Sequence, residues 1–390
     1  MKRFISILLS IILCLSISPY AMAASNTAAS SNDKLLAINA NNSSRYALSF
    51  VKSIFPGTNW SAGDILVIYN ENDAVGGFCV DILDGTQDNG YVIVKFSNNE
   101  PVISEFCIEP NINNPYEEII NDAGITDTAL RYYSIGPNDY HILNNTTCSV
   151  FGLDSKSIPI TQFNEYKEQA RAFRAQKLNQ DELNSSDSSE DVIVYSGLNG
   201  YTVISDTYSG TKTGGYTITD ATNVSYYCDD DVDNNGYVYA CALVALSNLM
   251  KYYRSIGYTN IDSDFQTIYS ELWAYAGTDT NGGTRLGNIG PAAEDYLADQ
   301  NYDCSSSTPL LTTYSTFSNA LYADKPCILS YGAIFNGEED GHAVFTIGYV
   351  TTTAYQYLAI LDGWNRNIRY INYNGYDYSS RAATIFSISE

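Results

Sequence analysis

The sequence predicts an α+β protein built in two parts, and three observations predict it. A helix-spaced segment over residues 34–54 is followed by four short β-branched runs separated by Asn, Asp and Gly. A second helix-spaced segment begins at Cys241, far from the first. Strand-like runs then fill Cys327 to Ile388. At 390 residues the chain is too long for one average domain of roughly 100 to 200 residues.

The elements follow in order. Lys2 and Arg3 precede an apolar run from Phe4 to Ser18, then Pro19 and the small-residue triplet Ala21-Met22-Ala23, which reads as a secretory signal peptide cut after Ala23. That run is shorter than the roughly 20 residues of a membrane-spanning helix, and no later stretch is long enough to span. Pro56-Gly57 stops the first helix, and Asp64 to Tyr69, Val75 to Leu83, Tyr91 to Phe96 and Pro101 to Ile108 read as an antiparallel meander. Asn164 to Lys177 is charged and helical, and Gln180 to Asp191 has almost nothing to bury. These readings give a signal peptide at 1–23, a first domain at 24–177, an acidic linker at 178–194 and a second domain at 195–390.

Composition excludes several functions. Lys+Arg 20 against Asp+Glu 44 gives a net charge of −24, which repels phosphate backbones and anionic lipid headgroups alike, so neither nucleic acid nor membrane is expected as a partner. The 45% apolar and 16% charged content supports a sizeable core. The 34 tyrosines suit β-rich structure and an extracellular life. Seven cysteines remain after the signal peptide; in an oxidising compartment an odd count leaves at least one thiol unpaired, and the count is equally consistent with none paired.

The chemistry lies in the second half. Leu243, Leu246, Met250 and Tyr253 recur three or four residues apart in an amphipathic helix ended by Gly257, which puts Cys241 in its first turn. Free N–H groups and the positive end of the dipole favour a thiolate there. The chain has only two histidines, His141 and His342, and His141 lies in the first half, so the base for such a thiol is His342. His342 opens a strand reaching Val350 after the loop Asn336 to Gly341. The next strand runs Gln356 to Leu361 and ends in Asp362-Gly363-Trp364. A hairpin turning at Thr351 to Ala354 pairs residues whose numbers sum to about 704, so Asp362 falls beside His342. A carboxylate there fixes the imidazole tautomer and aims its other nitrogen at the thiol.

The order Cys241, His342, then Asp362-Gly363-Trp364 resembles the papain-like cysteine peptidases, in their streptopain-like and C39-like secreted bacterial branches. The segments Ala240 to Tyr253, Lys325 to Ile328 and Gly341 to Val350 carry the likeness, which covers roughly residues 215 to 390. The resemblance implies a nucleophile helix packed against a strongly curved antiparallel sheet. It also implies a tryptophan, Trp364, shielding the base, and an N-terminal pro-region that covers the cleft until cut away. The family's oxyanion donor is a glutamine six residues before the nucleophile; here that position is Asn235, one methylene shorter.

Asp231-Val-Asp233-Asn-Asn235-Gly236 opens like a calcium loop, but its twelfth position is Ala242 where a bidentate carboxylate is wanted. Cys228 and Asp229 to Asp231 lack a second thiol or histidine at zinc spacing. No metal or other cofactor is expected. The expected activity is a secreted cysteine endopeptidase acting on peptide or protein, made as a latent precursor inhibited by its own N-terminal half. A peptidoglycan-directed amidase or endopeptidase, and a catalytically silent surface-binding module, are the alternatives.

Overall fold

Periodicity explains the first helix: Tyr46, Ala47, Phe50, Val51 and Ile54 all face inward from α1 (Ser31–Ile54). The computed structural model describes residues 31–390 apart from 137, 154–156, 185–192, 194, 199–201, 233–239, 279–282, 336–337, 376–379 and 390. The signal peptide at 1–23 and Asn235 therefore lie outside the described residues. Helix α1 rests on the meander β1 (Ser61–Tyr69), β2 (Val75–Asp84), β3 (Gln87–Ser97) and β4 (Glu100–Cys107). All three ladders of the meander are antiparallel.

Helix α2 (Pro115–Asp122) follows, with Pro115 in its first turn and the Asn114 side chain accepting the N–H groups of Tyr116 and Glu117. Strand β5 (Leu130–Ser134) adds to β1 in parallel, and β6 (Tyr140–Asn144), β7 (Ser149–Gly152) and β8 (Ser157–Pro159) continue the sheet. Helix α3 (Ile160–Asn184) runs past Lys177 into the expected linker, because Leu178, Gln180, Glu182 and Leu183 there are good helix formers. On the far side of 185–192, the Ile193 N–H already donates to the Asn374 carbonyl at 2.8 Å. What remains between these bonded ends is much shorter than 178–194.

The second half comprises β9 (Lys212–Thr217), α4 (Cys241–Ser255), α5 (Phe265–Ala276), α6 (Leu286–Asp299), β10 (Asp303–Ser307) and α7 (Tyr314–Tyr322). Five strands complete it: β11 (Cys327–Phe335), β12 (Glu338–Thr352), β13 (Gln356–Leu361), β14 (Arg369–Asn372) and β15 (Ser380–Ser389). The loop expected at Asn336 to Gly341 is mostly strand, since β12 starts at Glu338 and pairs with β11 from Phe335↔Glu338 onward.

The two halves are not separate bodies. One sheet runs β10-β15-β11-β12-β13-β14-β4-β3-β2-β1-β5-β6-β7-β8, with β9 on β12. The join is β14 on β4, through Tyr370↔Phe106 and Ile371↔Glu105, and the rings of Phe106 and Tyr370 stack at 4.6 Å. The expected boundary at 195 moves as well. Ser196 N–H donates to Phe96 O and Leu198 N–H to Val75 O, both at 2.7 Å, while Ile204 and Tyr208 enter the core beneath α1. Among the described residues the chain is thus a mixed α/β protein with one large sheet and seven α-helices.

Candidate active site

Helix α4 is buried over Ala242 to Met250 and again at Tyr252 and Tyr253. The polar residues that made it look amphipathic are inside too: the Asn248 amide accepts from Tyr227 N–H at 2.8 Å and donates to Tyr227 O at 3.0 Å, tying down the preceding segment. Burial on all sides fixes the helix, and its first residue, Cys241, reaches the half-exposed edge of the core.

There it meets β12. The Ala343 N–H donates to Cys241 Sγ at 3.3 Å, the Gly341 carbonyl lies 3.9 Å from the same sulfur, and His342 between them is hydrogen-bonded to the thiol. Burial alone would push the Cys241 thiol up. The His342 charge and hydrogen bond, with the N–H groups of Ala343 and Ala242, outweigh burial and hold it below its ordinary value. For His342, burial favours the neutral ring, but the Cys241 thiolate, its hydrogen bond, the Asp362 charge and the Asp362 carbonyl raise it above the usual imidazole value. Both directions favour a thiolate–imidazolium pair.

His342 Nε2 lies 3.0 Å from the backbone carbonyl of Asp362. A carbonyl only accepts, so Nε2 carries the proton and the other nitrogen is left for the thiol. Trp364 stacks on the imidazole at 4.4 Å and 10°, and Tyr331 meets it edge-on at 5.5 Å. Cys241, His342, Asp362 and Trp364 are thus brought together, whereas the expected oxyanion donor, Asn235, lies outside the described residues.

The expected role of Asp362 needs correction. Its carboxylate does not orient the ring: Oδ1 accepts from the N–H groups of Trp364 at 3.0 Å and Asn365 at 3.3 Å, closing a turn in which Gly363 sits at φ +88°. Oδ2 is ion-paired with Arg369 Nε at 3.1 Å. The hairpin register explains the change. Phe345 pairs with Leu361 and Thr346 with Ile360, two residues off the expected sum, and a bulge before Gly348↔Ala359 shifts it once more. Continuing that register beyond the last pair puts Trp364, not Asp362, opposite His342, as the ring stack requires.

Arg369, Glu105 and Glu118 escaped the sequence reading. Arg369 is 1% exposed, and its guanidinium also reaches Glu118 Oε2 at 2.8 Å and Glu105 Oε1 at 3.6 Å. Both glutamates belong to the first half, so no local spacing signals the contact. As for a calcium loop, Asp231 is engaged by Arg366 at 2.6 Å, and residues 233–236 lie outside the described residues. All seven cysteines from Cys79 onward are unpaired. Among the described residues no group of His, Cys, Asp or Glu is arranged to hold a metal ion, and no helix is long and apolar enough to cross a membrane.

No family model and no curated protein matches the chain. Among solved structures, the Pseudomonas avirulence protein AvrPphB is similar to it at 14% sequence identity and a TM-score of 0.22, over 44% of this chain and 100% of that one. So faint a likeness leaves the fold and site to be argued from the chain's own residues.

Proposed function

We propose that the protein is a secreted cysteine endopeptidase that cleaves peptide bonds through Cys241 and His342. The observation that carries the reading is the thiol at the first residue of a buried helix, hydrogen-bonded to an imidazole whose far nitrogen is fixed by the Asp362 carbonyl. In the first step His342 takes the Cys241 proton and the thiolate adds to the scissile carbonyl. The oxyanion rests on the Cys241 N–H, which a helix's first residue leaves without an intrahelical partner. His342 then returns the proton to the departing amine, and water, deprotonated by His342, hydrolyses the thioester. Trp364 covers one face of the ring and keeps water from the His342–Asp362 contact.

The expected role of the N-terminal half is an inhibitor that is cut away; the competing one is a permanent part of the protein. The shared β14–β4 ladder and the mixed core under α1 support the second. Secretion rests on the signal-peptide pattern of residues 1–23.

The test is a casein digestion run beside a muropeptide digestion, with an epoxide-type thiol inhibitor titrated into each. Casein cleavage abolished at one inhibitor per chain, with the label on Cys241, is expected. Turnover of muropeptide alone would move the reading to a peptidoglycan hydrolase, and no label at Cys241 would leave a silent binding module. Expressing residues 195–390 alone, with residues 24–177 added back, tests the N-terminal half: restored activity supports a permanent part, and inhibition at equal ratio supports latency.

A further inference from the structure

We infer that the N-terminal half is a working part of the active site: Glu118 and Glu105, acting through Arg369, position the turn whose carbonyl orients His342. The inference rests on the peptidase reading of Cys241 and His342, and it adds positioning residues to that reading from more than 200 residues away.

The chain of contacts is continuous. His342 is aimed by a backbone carbonyl, so its orientation depends on residues 362–369. Inside that segment the fully buried Asp362 carboxylate closes the turn and carries a net charge, which Arg369 offsets at 3.1 Å. Arg369 is itself buried, and a buried cation held by a single carboxylate has most of its donors unmet. The first half supplies two further carboxylates. Glu118 on α2 takes Nη2 at 2.8 Å, and Glu105 on β4 lies 3.6 Å from Nη1 while accepting the hydroxyls of Tyr91 and Tyr140.

Glu118 holds the segment in two more places, accepting from Asn365 Nδ2 and Asn367 Nδ2 at 3.2 Å each, and Glu109 accepts the Ile368 N–H at 3.2 Å. Among the described residues these polar clamps on residues 365–369 come from one helix, the strand before it and the connection between them. Asn114 caps that helix, and its amide is bonded to the buried Asp81 at 2.8 Å, so the clamp is anchored in the meander and not on a loose loop. An inhibitory segment blocks a cleft from the front, whereas these carboxylates grip the back of the catalytic turn.

The experiment uses the full chain. Glu118→Ala should lower kcat on the order of 10- to 100-fold with KM within a factor of two, since misplacing a base by a fraction of an ångström acts on the chemical step. Glu118→Gln, which keeps one oxygen for Arg369 Nη2 and the Asn365 amide but turns an NH2 group toward the Asn367 amide, should recover part of the rate. The deciding readout is the histidine tautomer. With 15N-histidine in a Cys241→Ala background at pH 8, His342 should show the Nε2–H form alone, and adding Glu118→Ala should produce a mixture while His141 stays unchanged.

A single His342 tautomer in Glu118→Ala overturns the inference whatever the rate does. If Glu118→Ala does not fold, the pair Asn365→Ala and Asn367→Ala frees the same turn and should shift the tautomer in the same direction; no shift there overturns it equally. A full chain without turnover sinks the peptidase reading alone, because the tautomer signal still reports whether Glu118 holds the ring.

Discussion

The two histidines of this protein make a controlled comparison. Both are buried, His141 at 4% and His342 at 7% exposure, and both lie against an aromatic ring, Phe163 at 5.1 Å and Trp364 at 4.4 Å. His141 even has the more familiar partner: its Nε2 is 2.7 Å from the Asp139 carboxylate, which also accepts the Tyr166 hydroxyl. His342 has the Asp362 backbone carbonyl on one side. What separates them is the opposite face of the ring, a phenol-lined core for His141 and a helix-terminal thiol for His342. A His–carboxylate contact is therefore a poor guide to a catalytic base. The nucleophile within reach decides.

The largest expected effect follows from that difference. Cys241→Ala and His342→Ala should each lower peptidase turnover by at least about 10⁴-fold while the fold is kept, because the two side chains act as one unit. His141→Gln should leave turnover within a few fold and lower stability by about 1 to 3 kcal/mol, as befits a buried polar group whose partner is left unmet. Turnover measured on purified variants, beside their melting temperatures, breaks the comparison if His141→Gln is the inactive one.

Next in size is Asp362, where the two histidines differ in how a carboxylate serves them. Asp362→Ala retains the carbonyl that touches His342 but strips Arg369 of one of its carboxylate partners and opens the turn at Trp364 and Asn365. A fall in rate of about 10- to 100-fold is expected, with a loss of about 1 to 3 kcal/mol in stability from the hydrogen bonds removed, since Glu105 and Glu118 still offset the Arg369 charge. Asp362→Asn keeps the turn. Since the Asp362 charge is among the causes that raise His342, the alkaline limb of the rate profile, which follows loss of the imidazolium proton, should move to lower pH in this variant. A limb that stays put would show that only the carbonyl matters. Trp364→Phe, which keeps a smaller stacked ring, should cost about 10-fold or less in rate.

The parts of this site written within one element were legible in the sequence. Cys241 at a helix start follows from apolar spacing and Gly257, and the strand Gln356–Leu361 was bounded to the residue. The register of His342 was not, for a reason that lies outside the hairpin. Strand β12 pairs with β11 only as far as Thr346 and with β9 from Gly348 onward, and at Gly348 a Cβ would come within 2.7 Å of Tyr216 O. The strand changes partner there, the bulge absorbs the change, and no local pattern announces it. The Arg369 cluster was illegible for a similar reason. Its two glutamates come from more than 240 positions away, and an acidic chain offers too many glutamates to choose among by composition.

The smallest expected effect concerns the carboxylates around the catalytic turn. Burial first, against the opposing Arg369 and with help from Asp362, Asp122 and Glu105, pushes Glu118 up to about 7. Asp229, whose N–H donates to Gly363 O at 2.7 Å, is likewise pushed to about 7 by burial and the charges of Asp230 and Asp362. Acids raised on folding bind protons more tightly in the native state. Their contribution to stability is present below the unfolded values near 4.5 and 3.8, and is lost as pH rises through about 7. The melting temperature of the full-length Cys241→Ala variant should accordingly fall by a few degrees between pH 5 and pH 8. The net charge of −24 pulls in the same direction through self-repulsion, which is nearly uniform over the surface and is little changed by one residue. Glu118→Gln separates the two causes: it removes one titration at the turn and should flatten the slope, whereas Glu165→Gln, at an exposed position on α3, should leave it as it was. Equal slopes in all three proteins would assign the pH dependence to overall charge and leave Glu118 without a titrating role beside His342.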